Sequence, residues 1–216
     1  VIDKPAGMPV QGGTRQRRHV DGLSRVLVKG NEPPPKLVHR LDKDTSGVLL
    51  LAKSADAARR LGRAFKMGEV RKTYWAVVVG VPTLTTGVIE NELEKRAGVG
   101  GERVIVVSDR GRQARTRYKI LDRSGSLATF LALYPETGRT HQLRVHCVAL
   151  GTPILGDGKY GGRGSFLTNL PSARRLHLHA RSIELPVKDG EALRLVAPLP
   201  DHMRASVNQL AFDIDD

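Results

Sequence analysis

Asp42 and the cations on either side of it form the part of this chain best suited to chemistry. Arg40 lies two residues before the carboxylate and Lys43 directly follows it. An aspartate flanked by cations stays ionised at neutral pH, because a nearby opposite charge favours the charged form. An ionised carboxylate on a tight loop beside a buried strand can act as a nucleophile or a general base. The alternative is a surface turn capped by the carboxylate, with solvated cations.

The complete string around Asp42 decides between these interpretations. Residues 39–47 read His-Arg-Leu-Asp-Lys-Asp-Thr-Ser-Gly, which resembles the signature of the RluA-type pseudouridine synthases. The resemblance continues in the family's order from residue 1 to about residue 198. Residues 11–13 and 101–104 look most like the RluC branch, which modifies large-subunit ribosomal RNA. The other matching segments are residues 1–7, 74–80, 114–118, 137–146, 151–161 and 176–180.

The resemblance implies a reaction that detaches uracil from C1′ of a uridine, rotates the base and rejoins it through C5. Such a reaction needs a positioned carboxylate, a cation that pairs with it and a closed pocket for the freed base. It needs neither a metal nor a redox cofactor, and we expect no cofactor here. The target base must also leave its stack, which costs a few kcal/mol.

Three catalytic residues follow from the resemblance. Asp42 is expected to be the nucleophile, although attack at C1′ and support of a glycal route both stay open. Arg144 is expected to hold that carboxylate with a bidentate guanidinium. Tyr74 is expected to lie against the uracil ring and to transfer a proton or only stack; the alternative is a core tyrosine with a bonded hydroxyl. Asp44 is expected to be structural or solvent-facing.

Arg40 and His39, which precede Asp42 in the sequence, have predicted roles of their own. Arg40 is associated in the family with base flipping, and an ion pair with Asp44 or a phosphate is the equally weighted alternative. His39 is expected to orient the loop through hydrogen bonds. The residues expected to bind the substrate are His39, Arg40, Thr45, Arg139, Thr140, His141 and Gln142.

The histidine pairs 141/146 and 177/179 have spacings that occasionally bind zinc. With no cysteine cluster and no metalloprotease motif, packing and RNA contact are the favoured roles, and no metal is expected. Two other functions compete with a synthase: a catalytically silent RNA-binding protein and a hydrolase that uses Asp42 with a histidine. The chain contains no Gly-x-Ser-x-Gly motif and no convincing carboxylate pair for a hydrolase. A synthase that acts on transfer RNA is a further alternative.

Charge and composition fit a polyanionic partner. The chain has 216 residues, a formal net charge of +13 and a pI near 10.4, which indicate a polyanion such as nucleic acid. With the resemblance, the expected partner is RNA, and neither DNA nor a membrane is expected. The single cysteine, Cys147, excludes an internal disulfide. We expect a soluble, cytoplasmic monomer whose native N-terminus lies upstream of Val1, where an S4 RNA-binding domain often stands in the family. The basic residues Arg15, Arg17, Arg18 and His19 lie in a predicted loop that contacts phosphates or is simply solvated.

The pattern of apolar and turn-forming residues predicts one domain of the α+β class over residues 1–216, with a large, mainly antiparallel sheet. The resemblance implies the pseudouridine synthase fold, with flanking helices and loops around a central RNA-binding cleft. Helices are predicted near residues 21–27, 55–67 (capped by Ser54) and 138–150. Strands are predicted over residues 48–52, 72–79, 88–90, 104–107, 114–121, 127–134 and 183–186.

Overall fold

The computed structural model describes residues 1–13, 18–28, 30, 32–98, 102–168, 170, 174–186 and 191–214. Arg15 and Arg17 of the predicted basic loop lie outside these residues, as does position 101 of the RluC-like segment. The chain divides into two compact units. Unit 1 contains Val1–Lys72 and Ala180–Pro198, and unit 2 contains Thr73–His179 and Leu199–Asp216. The prediction of a single catalytic domain stays a prediction.

Unit 1 places a short sheet against one long helix. Its β1 pairs antiparallel with β3, β3 neighbours β10, and β10 pairs antiparallel with β11. A separate ladder joins β2 to β4. The core contains Val48, Leu50 and Ile183, and helix α2 packs onto it through Leu61 and Phe65. The elements are β1 (Ile2–Lys4), α1 (Val20–Leu23), a 3-10 helix (Ser24–Leu27), β2 (Lys36–Leu37), β3 (Ser46–Leu49), β4 (Leu51–Ala52), α2 (Ala55–Met67), β10 (Leu178–Pro186) and β11 (Ala192–Val196).

Unit 2 contains a five-stranded ladder in the order β5-β9-β8-β6-β7, and the pairings within it are antiparallel. One apolar cluster includes Ala76, Leu131 and Cys147, whereas a second includes Val77 and Phe130. Because neighbouring residues of β5 enter different clusters, both faces of this strand are buried. The elements are β5 (Arg71–Val79), β6 (Thr86–Arg96), β7 (Arg103–Val107), β8 (Arg112–Ser124), β9 (Ala128–Pro135), α3 (Gln142–Ala149), a 3-10 helix (Gly162–Ser165) and α4 (Asp201–Gln209).

The α+β class and the mainly antiparallel sheet are confirmed, but several predicted boundaries were wrong. The strand predicted over residues 48–52 is interrupted at Leu50, whose N–H is taken by the His39 side chain. The helix predicted from residue 138 begins at Gln142, because the preceding residues form a turn that ends at His141 with φ of 52°. The strands near residues 88 and 183 extend further than predicted, and β11 and α4 were not predicted.

Candidate active site

The loop that carries Asp42 is shaped by the residues that follow it. Thr45 donates its N–H to the Asp42 carbonyl at 3.2 Å, which closes a turn around the half-buried aspartate. Gly47 then adopts φ of +111°, and a Cβ there would stand 2.2 Å from the carbonyl oxygen of Ala180. Only glycine fits a backbone that is both left-handed and this close to another strand. The Thr-Ser-Gly sequence therefore fixes how the loop enters β3.

Lys4 anchors this loop from the protein interior. Its side chain is fully buried, and its ammonium donates to the carbonyls of Pro5, Met8 and Lys43 at 2.9, 2.8 and 3.0 Å. The Lys43 carbonyl also accepts the N–H of Gly7 at 2.9 Å. Sequence reasoning placed Lys4 in a matching segment but gave it no role. The structure shows that it joins the opening turn to the residue after Asp42.

Electrostatics at Lys4 involve both loop carboxylates. Burial lowers the pKa of Lys4 to about 8, while the charges of Asp44 and Asp42 oppose this change. The ammonium is thus charged at neutral pH and contributes positive potential beneath the loop.

His39 supports the same loop as a neutral hydrogen-bond acceptor. Its Nε2 accepts the N–H of Leu50 at 2.8 Å, and its ring stacks on Phe65 with 4.6 Å between centroids. Burial, together with the nearby charge of Lys72, lowers the pKa of His39 to about 4. The imidazole is therefore uncharged at neutral pH and acts on the backbone of the loop. Its predicted contact with the substrate stays a prediction.

Arg40 is exposed, and its Nη1 donates to Oε1 of Gln11 at 3.1 Å. Across the part of the chain that the structure describes, no carboxylate forms an ion pair with Arg40, so the alternative of an Arg40–Asp44 pair is not found. A single hydrogen bond to a neutral amide holds the guanidinium weakly. Base flipping by Arg40 stays a prediction.

Arg144 on α3 forms a buried, bidentate ion pair with Asp157. Its Nε and Nη2 donate to the two carboxylate oxygens at 2.8 and 2.6 Å, and the two side chains are 8% and 0% exposed. The Tyr160 ring lies 4.9 Å from the guanidinium carbon. Sequence reasoning missed Asp157 and Tyr160 as site residues, although both stand in the matching segment 151–161. The predicted pairing of Arg144 with Asp42 stays a prediction.

Tyr160 organises the surroundings of this ion pair. Its hydroxyl accepts the N–H of Val104 at 3.1 Å and lies 2.6 Å from Nδ1 of His141. The carbon of the Arg103 guanidinium lies 5.5 Å from the ring centroid. A tyrosine held at its hydroxyl and flanked by cations gives a rigid aromatic surface within unit 2.

Gln142 holds together the turn that carries three predicted substrate-binding residues. Its Oε1 accepts the N–H of Arg139 at 3.0 Å and the hydroxyl of Thr137 at 2.8 Å. Its Nε2 donates to the Arg115 carbonyl at 3.0 Å and to Thr116 at 2.9 Å. Because Gln142 is buried and all these contacts are internal, the structure indicates a structural role for its side chain. The residues of the turn are Arg139, Thr140 and His141.

Tyr74 lies on β5, partly buried against the cluster that contains Leu133. Unit 1 thus brings together His39, Arg40, Asp42 and Thr45, and unit 2 brings together residues 139–144 with Asp157 and Tyr160.

Among the described residues, no group of three or more His, Cys, Asp and Glu side chains could hold a metal ion. No helix in the described ranges is long and apolar enough to span a membrane.

Comparisons with known proteins agree on one family. Residues 1–149 match the family model described as RNA pseudouridylate synthase. A protein of Zymomonas mobilis named as an uncharacterized RNA pseudouridine synthase is 40% identical over 201 residues, which are 93% of this chain and 89% of that relative. The ribosomal large subunit pseudouridine synthase C of Rickettsia conorii is 41% identical over 92% of this chain. The chain spans 64% of the length of that relative.

The solved structures give the same result. The structure of human RNA pseudouridylate synthase domain containing 4 is similar, with a TM-score of 0.82 and 31% sequence identity. The match covers 100% of this chain and 90% of the human one. The resemblance to the RluA-type family that the motifs indicated, including its RluC branch, is confirmed by these relatives, and so is the fold that it implied.

Proposed function

Since the chain belongs to the RNA pseudouridylate synthase family, and is by family an RNA-modifying isomerase, we propose that it converts specific uridines of large-subunit ribosomal RNA to pseudouridine with Asp42 as nucleophile. The observation that carries the role of Asp42 is the construction of its loop. Lys4 holds the carbonyl of Lys43, next to this carboxylate, and Gly47 and His39 fix the backbone that follows at positions 47 and 50. A surface turn would not require a buried lysine beneath it.

The proposed reaction uses the two carboxylate environments differently. Asp42 is half-buried and lies near the charged Lys4, so its carboxylate remains available to attack a substrate. Asp157 is buried and both of its oxygens are engaged by Arg144, which leaves it poorly suited to attack a substrate. In the proposal, Asp157 fixes the plane of the Arg144 guanidinium, and Arg144 in turn supports the ionised Asp42. Tyr74 stacks on the uracil ring.

The choice of ribosomal RNA rests on the relatives. The Rickettsia conorii protein is named a ribosomal large subunit pseudouridine synthase, and the net charge of +13 suits a large polyanion. The competing proposals are a transfer RNA substrate and an RNA-binding protein without activity.

Tritium release tests the proposal and its competitors together. Unmodified transcripts of large-subunit ribosomal RNA and of mixed transfer RNA are prepared with tritium at C5 of uridine. Because C5 forms the new bond to C1′, each pseudouridine releases one tritium to water. We expect stoichiometric release from the ribosomal transcript and background release from transfer RNA. Release from transfer RNA alone would contradict the substrate, and RNA binding without release from either would contradict the activity.

A further inference from the structure

Helix α2 has one face that is not used to hold unit 1 together. The helix begins after Ser54, whose hydroxyl accepts the N–H of Ala57 at 3.1 Å, and ends at Gly68 with φ of 73°. Leu61, Ala64 and Phe65 pack against the core of unit 1. With about 100° between successive residues, the apolar residues occupy one side, and the opposite side faces solvent.

The solvent-facing side is basic. Arg59, Arg63 and Lys66 lie within about 60° of one another around the helix and span about 10 Å along its axis. Arg60 lies at the edge of this row. All four residues are exposed, and the side chains of Arg59 and Arg60 are 79% and 71% exposed. We call these four residues the α2 basic stripe.

Little negative charge compensates the stripe. Asp56 is the one carboxylate within the helix, and its oxygens lie 3.4 Å from Arg59 and 3.2 Å from Arg60. Over the residues that the structure describes, neither Arg63 nor Lys66 forms an ion pair. On β8 of unit 2 the cations are mixed: Arg115 and Arg117 share the carboxylate of Glu136, whereas Arg112 and Lys119 form no ion pair among the described residues. Arg63 and Lys66 of the stripe are therefore uncompensated among the described residues.

We propose that the α2 basic stripe binds the phosphate backbone of the substrate RNA, as a docking surface separate from the loop that carries Asp42. Guanidinium groups bind phosphate oxygens in a bidentate manner, and lysine adds a point charge. Each phosphate neutralised releases counterions, so the stripe adds affinity without reading sequence. This inference rests on the proposed RNA substrate.

An anionic membrane is the other polyanion that a basic helix could meet, and the structure disfavours it. A helix that lies in a membrane interface buries an apolar face in lipid. On α2 that face is already packed against the core of unit 1 through Leu61 and Phe65. The helix offers a lipid surface only Met67, which is 63% exposed. A basic helix whose apolar face is already buried suits the phosphate backbone of RNA better than it suits an anionic membrane.

The test compares two double variants that remove the same charge. R63Q/K66Q removes the two unpaired cations of the stripe, and glutamine preserves helix propensity. R112Q/K119Q removes two cations of β8 that are exposed and lack ion pairs among the described residues. The measurements are the dissociation constant for the unmodified large-subunit ribosomal transcript at several salt concentrations, and the single-turnover rate at saturating enzyme.

We expect R63Q/K66Q to weaken binding by about tenfold or more near 0.1 M salt and to reduce the salt slope by about two, since each lost phosphate contact lowers the slope by about one. The saturated rate should stay at the wild-type value, and R63K/K66R should restore affinity. Equal weakening by R112Q/K119Q would overturn the proposal in favour of net charge. Unchanged RNA affinity of R63Q/K66Q would also overturn it. A third contradicting result would be that the wild type binds phosphatidylserine vesicles and that R63Q/K66Q loses this vesicle binding but keeps its RNA affinity. A wild type without activity on any RNA would instead contradict the proposed function.

Discussion

Lys4 satisfies three main-chain carbonyls with one buried ammonium group. K4M keeps an unbranched side chain of similar length but removes the ammonium group, so the carbonyls of Pro5 and Met8 lose this donor while that of Lys43 keeps the N–H of Gly7. We expect a loss of about 2–4 kcal/mol in the free energy of unfolding, because each buried unsatisfied group is costly. Denaturant unfolding measures this loss, and K53M, which alters an exposed lysine, is the control. A loss of less than 1 kcal/mol for K4M would show that Lys4 does not anchor the loop.

The ion pair between Arg144 and Asp157 makes a second prediction about single residues. Breaking a buried pair by removing one partner leaves an uncompensated charge and costs about 3–5 kcal/mol. We therefore expect R144A to be destabilised to that extent and D157N somewhat less, because the amide still accepts one hydrogen bond. A double-mutant cycle with R144A/D157N should give a large coupling energy.

Kinetics separate the structural role of Arg144 from its proposed catalytic one. If Arg144 supports Asp42, R144A lowers the single-turnover rate by orders of magnitude even under conditions where the variant is folded. R144K should recover part of that rate, since it restores the charge but not the planar fork. A folded R144A variant with the wild-type rate would remove Arg144 from catalysis and leave it only its pair with Asp157.

At the scale of elements, two glycines illustrate opposite requirements. Gly62 lies inside α2, and a Cβ there would meet nothing within 4 Å. G62A should stabilise the protein by about 1 kcal/mol, because alanine favours the helix and restricts the unfolded chain. G47A should destabilise it by at least about 2 kcal/mol, since φ is +111° and the added carbon would clash with the Ala180 carbonyl. Thermal unfolding distinguishes the two, and stabilisation by G47A would contradict this account of the loop.

Elements were predictable where local pattern decides them. Helix α2 was predicted with its cap at Ser54 and its end near Met67, because the capping residue and the apolar spacing agree. The break at Leu50 and the late start of α3 were not predictable in this way. Both depend on side chains from elsewhere in the sequence, namely His39 for Leu50 and, for α3, the contacts of Gln142 with Arg115 and Thr116.

The same limit applies to the site. The motifs located Asp42, Tyr74 and Arg144, but nothing in local sequence showed that Arg144 would bind Asp157, which is 13 residues away. The role of Lys4 was not predicted for a similar reason, because lysine is rarely buried and its acceptor on Lys43 lies 39 residues away. Partners of this kind are set by tertiary packing.

At the scale of the whole molecule, buried histidines predict how stability depends on pH. Burial lowers the pKa of His39, His146 and His177 to about 4, whereas an unfolded histidine has a pKa of about 6.5. Between these values the unfolded state binds more protons, so stability is full above about pH 6.5 and falls as the pH decreases toward 4. Each histidine contributes at most about 1.4 kcal/mol per pH unit.

Urea unfolding between pH 7 and pH 5 checks this expectation. The free energy of unfolding should decrease with each step toward lower pH. In H177Q the slope of this decrease should be smaller by the uptake of about one proton, which is about 1.4 kcal/mol per pH unit. His177 is suitable because its Nε2 lies 2.7 Å from the Ser206 hydroxyl, a contact that the glutamine amide can reproduce. Stability that is flat over this range would show that these histidines titrate normally in the folded protein.

The most direct test of the central claim compares two isosteric variants of the same loop. D42N and D44N each replace a carboxylate by an amide and change the charge equally, and both residues lie near Lys4. Single-turnover tritium release from C5-labelled large-subunit ribosomal RNA is measured at saturating enzyme. We predict that D42N falls to background while it still folds and binds RNA, and that D44N stays within a few-fold of the wild type. Release by D42N near the wild-type rate would contradict the role of Asp42.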